Sequence, residues 1–298
     1  QIIEAKKKGR RPARKRKAVA HLEESFEVSE RRACKVSDQH RSTQRYEGLP
    51  RSDEAALLAR MQELVGTNPR RGCRYISQLL RAEGWKVNYK RVHRLWKREG
   101  YKVPRKRRKK RAVGMDANAC DKRKATAPND VWTWDFVFDR LIDGRALKCL
   151  SIVDEFTREC LELRMARSLK GKDVLDSLSR LFGQRGAPRH IRSDNGTEFI
   201  AGEVKNWLHS LGVETLYIAP GAPWQNGYVE SFHSRLSDEF LEMNYFNNVA
   251  EARALADQWK HDYNTTRLHS SLGYLTPAEF ARRFGASAST SLRSAPPE

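Results

Sequence analysis

The sequence predicts a mixed α/β domain over residues 128–285, preceded by two small all-α units at 18–50 and 51–104. Three observations carry this reading. Alternating apolar positions begin only after Pro128, where strand and helix patterns interleave as β-β-β-α-β-α-β-α-α. Before that point apolar residues recur at helical spacing, with Gly and Pro as stops. The charge divides at the same place. Residues 1–111 hold 34 Lys/Arg and 12 Asp/Glu, a net of +22, while residues 128–298 are at −3, in a 298-residue chain of net +20.

Residues 1–17 are basic without a hydrophobic period and read as a disordered arm. Val19, Leu22 and Phe26 then share a helical face, Glu27-Val28 breaks it, and Ser29 suits the N-cap of a second helix. The pair is expected to form a helix-turn-helix with Arg31, Arg32 and Lys35 toward DNA. In 51–104, "DEAALLARMQELVGTNP" and "RRGCRYISQLLRAEG" read as amphipathic helices. A third helix opens at Asn88 and closes at Gly100, with Val92, Leu95 and Trp96 as its buried stripe. Lys90, Arg91, His93, Arg94, Lys97 and Arg98 fall on its other faces. An apolar back and a cationic front suit a major-groove reader.

Residues 105–127 form a basic linker, and Arg105 to Arg111 is an unbroken run of cations, Arg105, Lys106, Arg107 and Arg108 among them. Such a run stays extended unless phosphates neutralise it. From Pro128 on, "DVWTWDFVFD", "RALKCLSIVDEF" and "CLELRMA" read as antiparallel strands, with Asp143-Gly144 as a hairpin signal. "GKDVLDSLSRLFGQRG" reads as a helix, "PRHIRS" as a buried strand, "GEVKNWLHSLG" as a helix and "ETLYIA" as a strand. "GYVESFHSRLSDEFL" is a helix with Val229, Phe232, Leu236 and Phe240 inward, and a last helix covers about 249–264. Residues 286–298 read as a disordered tail.

The concentrated positive charge calls for a polyanion, and nucleic acid is the commonest. The five cysteines stand apart, and neither they nor the histidines show zinc spacing, so no zinc is expected. No run of about 18 apolar residues occurs and no apolar signal core opens the chain, so neither a membrane span nor export is expected. A cytoplasmic protein is expected.

Three acids stand out. Asp135 sits mid-strand among large apolar residues, where a carboxylate is costly unless it faces a polar site. Asp194 follows "HIRS", and Glu230 lies in the first turn of a helix, with 35 residues between the two acids. If the strands of Asp135 and Asp194 are neighbours, the two acids meet at one site, with Glu230 entering from a packed helix. An all-carboxylate site suits two Mg²⁺ (or Mn²⁺) ions acting in phosphoryl displacement. Asp154 is the rival acid and reads as structural. Trp132, Trp134, Trp207 and Trp259 read as core.

"WTWDF", "RSDNGTEF" and "PWQNGYVESFH" resemble the three signature segments of the DDE integrase core, the ribonuclease H-like fold of retroviral integrases and bacterial insertion-sequence transposases. "VDEFTRE" and "NTTRLHSSLGYLTPAEF" resemble segments of the OrfB-type transposases of the insertion-sequence family numbered three. The resemblance covers roughly residues 20–283. It implies a ribonuclease H-like core and Asp135, Asp194 and Glu230 as the catalytic, metal-binding triad. It also implies strand cleavage at the element's terminal inverted repeats, 3′-OH transfer into target DNA, a circular intermediate, and a homo-oligomer in a synaptic complex. Gln225, Asn226, Tyr228, His233 and Arg235 beside the Glu230 helix are expected at DNA. The sequence departs from the family at Ser234 and Ser237, where a Lys or Arg often follows the Glu. Lys6-Lys7-Lys8 near a non-Met start fits the frameshifted fusion such elements use. The rival readings are a DNA-binding regulator with an inactive nuclease-like core and a ribonuclease H acting on hybrids.

Overall fold

A computed structural model describes residues 12–47, 51–103, 124–193, 202–217 and 227–291. The chain divides into two compact units, Gln1–Arg60 and Met61–Glu298.

In the first unit, α1 (Pro12–Phe26), α2 (Glu30–Val36) and α3 (Arg41–Gln44) surround a small core of Val19, Ala33 and Cys34, with Leu22 and Val28 against it. Two expectations need correction. Residues 12–17 are helical, not part of a disordered arm. Pro12 opens the helix at a position where its missing N–H costs nothing, and the Arg/Lys residues behind it are good helix formers. Arg16 also donates through Nε to the Thr43 carbonyl at 2.9 Å, which ties this turn to α3. Phe26 is 59% exposed. It ends α1, and the chain turns away at Glu27 with φ 49°, so the last apolar position of the stripe overshoots a very short core. Ser29 occupies the N-cap position of α2 without a side-chain capping bond.

Helix α4 (Glu54–Thr67) spans the boundary between the units. Beyond it, α5 (Cys73–Ala82) buries Ile76 and Leu80, and α6 (Tyr89–Arg98) buries Val92, Leu95 and Trp96. The Asn88 side chain accepts from Lys90 N at 2.9 Å, the expected N-cap bond. Gly100 closes the helix at φ 71°.

The sheet is built from β1 (Val131–Arg140), β2 (Ala146–Asp154), β3 (Cys160–Ala166), β4 (His190–Ser193) and β5 (Glu214–Tyr217), in the order β3-β2-β1-β4-β5. The first three strands form an antiparallel meander, and β4 and β5 extend it in parallel from β1. Helices α7 (Gly171–Arg185) and α8 (Gly202–Ser210) make the long connections that parallel strands require. One face packs Trp132, Trp134, Leu150, Ile152 and Ile191 against Leu178, Leu181 and Leu208. The other packs Leu147, Cys149, Val153, Leu163 and Met165 against α9 (Gly227–Glu239) and α10 (Val249–Thr265), through Phe232, Leu236, Ala252, Ala256 and Tyr263. The expected tryptophan core holds: Trp207 and Trp259 pack at the edges of these two clusters. A further helix, α11 (Pro277–Ser291), was not expected, and it runs into the stretch read as a disordered tail. Thr276 and Glu279 cap it reciprocally, Thr276 N to Glu279 Oε2 at 2.9 Å and Glu279 N to Thr276 Oγ1 at 3.2 Å. No helix among the described residues is long and apolar enough to cross a membrane.

Candidate active site

Asp135 owes its position to the pleat. Successive strand residues face opposite sides, so Trp132 and Trp134 enter one core while Asp135 points to the side of α9. Its cross-strand partner is Ser151. His233, on α9, reaches down to this pair: Nε2 lies 2.7 Å from Ser151 Oγ, and Nδ1 lies 3.6 Å from Asp135 Oδ2. Ser151 Oγ donates to the Asp135 carbonyl at 3.1 Å. That leaves Ser151 as acceptor toward His233, so Nε2 carries the proton and Nδ1 has none to offer Asp135. Burial pushes the imidazole down to about 4, which keeps it neutral at ordinary pH.

Glu230 sits exposed in the first turn of α9. His233 is three residues further on, and residues three apart are neighbours on a helix surface, about 4.5 Å along the axis. The helix strip that touches Asp135 through His233 is therefore the strip that carries Glu230. Strand β4 runs parallel beside β1, with Thr133 opposite Arg192, so the strand expected to lead to the second acid is the neighbour of the first. Asp194 itself lies outside the described residues.

The segment "VDEFTRE" explains how this edge is held. Asp154 accepts from Asn129 N at 2.8 Å, Phe156 N at 2.8 Å and Thr157 N at 2.9 Å, a structural role that agrees with its reading as the rival acid. Glu155 is fully buried and pairs with Arg192 Nε at 2.9 Å, which ties the end of β2 to β4 one residue before Ser193. Burial pushes the Glu155 carboxyl up to about 7 in spite of the arginine. Glu159 takes Arg185 in a two-pronged pair at 3.0 Å each. Neither Glu155 nor His233 as a partner of Asp135 was read from the sequence. The period-2 alternation of "CLSIVD" and the helical spacing from Glu230 to His233 were the signals available.

The remaining residues expected at DNA divide. Arg31, Arg32 and Lys35 are exposed on α2, and Lys90, Arg94, Lys97 and Arg98 on α6. Arg91 and His93 are half-buried, His93 stacking on Tyr89 at 5.7 Å. Tyr228 lies under the Arg158 guanidinium at 3.9 Å, and Arg235 is exposed. His233 faces Asp135 and not the outer surface expected for a phosphate contact, because the buried neighbour Phe232 turns that side of the helix toward the sheet. Arg105, Lys106, Arg107, Arg108, Gln225 and Asn226 lie outside the described residues.

Comparison with known proteins gives the site its context. Residues 125–223 and 211–277 match two family descriptions, each named integrase core domain, and residues 52–109 match an HTH-like domain. The uncharacterized 39.2 kDa protein of insertion element IS476 from Xanthomonas euvesicatoria is 40% identical over 92% of this chain and 78% of its own length. The 31.7 kDa protein of IS407 from Burkholderia multivorans is 38% identical over 91% and 96%. Transposase InsD of an IS2 element from Escherichia coli is 28% identical over 78% and 80%. A solved HTLV-2 integrase catalytic core in complex with magnesium aligns with 52% of the chain and 98% of its own, at 16% identity and a TM-score of 0.43.

Proposed function

Because this chain belongs to the insertion-element transposases that carry an integrase core, we propose that it binds the ends of such an element and there cleaves and joins DNA strands. The observation that carries the reading is the placement of Asp135 on a central strand, under the helix that presents Glu230 and beside the strand that ends one residue before Asp194. Strand β4 ends at Ser193, and Asp194 is the next residue in the sequence. The metal-binding triad is then Asp135, Asp194 and Glu230.

These residues fit divalent ions of the hard class. Carboxylate oxygens suit Mg²⁺ or Mn²⁺, Asp135 keeps 26% of its side chain exposed, and its imidazole neighbour is neutral and brings no competing positive charge. Among the described residues no three His, Cys, Asp or Glu side chains cluster as metal ligands, and the triad is completed only with Asp194. Two ions held there supply stabilisation of the attacking and leaving oxygens in an in-line displacement.

The protein's own groups do the rest. The His233–Ser151 bond fixes α9 against the meander, so Glu230 and Asp135 keep their spacing. The Arg192–Glu155 pair fixes the end of β4. Water attacks a terminal phosphodiester, the P–O3′ bond breaks, and a 3′-OH is left on the element. That 3′-OH then attacks a phosphodiester of target DNA, exchanging one P–O bond for another without an energy source. The exposed cations of α6 hold the terminal repeat, with phosphate contacts fixing position and base contacts fixing identity. Two ends must be held together, which calls for a multimer of this chain.

A 5′-labelled duplex of the terminal sequence flanking the gene tests the reading. Incubated with the protein and Mg²⁺ or Mn²⁺, it is nicked at the element end, and a chelator stops the nicking while binding persists. Tight, specific binding with no metal-dependent nicking would instead describe a DNA-binding regulator.

A further inference from the structure

A cavity of about 600 Å³ opens along the flank of α9, away from the His233 strip. Gly227, Ser231 and Arg235 line it at intervals of four, one helical neighbour from Glu230. Its other walls come from α5 and the loop before it, from the turn between β2 and β3, and from residues 267–274. The last stretch belongs to "NTTRLHSSLGYLTPAEF", a segment the catalytic reading does not use.

Its charge is one-sided. Arg70, Arg71, Arg74, Arg158, Arg235 and Arg267 all line it, and no acid lines it among the described residues. Glu239, behind Arg71 and Arg267, and Glu242, beside Arg70, offset three of the six. Arg74 and Arg235 are exposed and have no carboxylate partner among the described residues. Arg158 lies over the Tyr228 ring. The backbone adds a second observation. Arg158 and Tyr274 both hold positive φ, 63° and 65°, a conformation uncommon for residues with a side chain and often found where a site needs it. His269, buried among these guanidiniums, is pushed far below the ordinary imidazole range, first by burial and then by Arg267, Arg71, Arg158 and Arg235. The positive field is thus felt by a neighbouring group.

We propose that this cavity grips backbone phosphates of the DNA strand that runs past Glu230, with Arg74, Arg158 and Arg235 as the phosphate ligands. A cationic cleft with hydroxyls at Ser231, Ser270 and Tyr274 matches a phosphodiester, which offers acceptor oxygens and no donors. This grip places the strand beside the carboxylates from the core side, independently of α6. The inference rests on the transposase reading and sharpens where its DNA runs.

The test uses the full chain and the element-end duplex in Ca²⁺, with the affinity followed against salt. Removing one cation from its phosphate lowers the slope of log affinity on log salt by about 0.9. The double variant Arg74→Gln, Arg235→Gln is therefore expected to flatten the slope by about 1.8, with sequence preference unchanged. In the wild type, bound DNA is expected to shield Arg74, Arg158 and Arg235 from phenylglyoxal, as read by peptide mass spectrometry. An unchanged slope, or arginines that react equally with and without DNA, overturns the cavity assignment. If wild type still nicks the duplex in Mn²⁺, only that assignment has failed; if it does not, the transposase reading has failed.

Discussion

Helices α6 and α9 are built alike and equipped differently. Each buries three residues at helical spacing, Val92, Leu95 and Trp96 in one and Val229, Phe232 and Leu236 in the other. The polar side of α6 is cationic from end to end. That of α9 offers Glu230 at its start, His233 turned inward, three serines and a single arginine. The apolar stripe decides only that a helix packs. The polar face decides what it can meet, and in the function proposed above that is DNA along α6 and the reacting phosphate at α9.

The largest expected effect separates the two helices outright. Glu230→Gln or Asp135→Asn should lower strand cleavage by at least about a thousandfold, roughly 4 kcal/mol of transition-state stabilisation, while end binding measured in Ca²⁺ changes little. If either variant nicked the end duplex near the wild-type rate, that acid would not belong to the site.

That division also explains what was legible. The α6 pattern is local: the cap at Asn88, the stripe of Val92, Leu95 and Trp96 and the exposed Lys90, Arg94, Lys97 and Arg98 appear in the structure as the sequence implies, while Arg91 and His93 are half-buried. The α9 site is assembled over long separations. Asp135 meets His233 through a strand pairing with Ser151, and Arg192 meets Glu155 across the end of two strands. Periodicity says which face a residue takes, but not which distant residue waits there. Helix extents were less legible: α1 begins at Pro12, well before its apolar stripe, because helix formers next to a short core extend a helix without any apolar signal, and α11 was not read at all.

Stability should follow the same contrast. Glu239, in the last turn of α9, accepts from Arg267 Nε at 2.9 Å and Nη2 at 3.1 Å and also pairs with Arg71, all three side chains being at least 86% buried. Glu239→Gln leaves two buried guanidiniums without their counter-charge, which costs about 3–5 kcal/mol. Urea denaturation should register that loss. The exposed cations of α6 should register almost nothing there, within about 0.5 kcal/mol. Equal losses for both would contradict the assignment of α6 charges to binding and of Glu239 to structure.

Binding should show the mirror image. Arg94→Gln removes an exposed cation from the middle of α6. If Arg94 reads a base edge, the loss is about 1–3 kcal/mol, roughly fivefold to 150-fold, and preference relaxes at one base pair. If it meets phosphate, affinity falls for all sequences alike. Titration against the end duplex and a panel of single-base variants separates the two, and an unchanged affinity would remove Arg94 from the interface.

The smallest effect comes from making α9 resemble α6. Ser237 lies seven residues after Glu230, two turns along the same face, and is half-buried. Serine donates one hydrogen bond and brings no charge. Arginine at this position gains a charge-assisted bond to phosphate, and after desolvation and side-chain ordering a net of about 1 kcal/mol is left. Ser237→Arg should then tighten binding of the end duplex in Ca²⁺ about fivefold, since 1.4 kcal/mol is a factor of ten. Turnover in Mn²⁺ should fall if product release limits the rate. The gain should also vanish at high salt, because it is electrostatic. Equal or weaker binding by the variant would mean that Ser237 faces away from the strand, and that Arg235 on the neighbouring strip already holds the phosphate within reach.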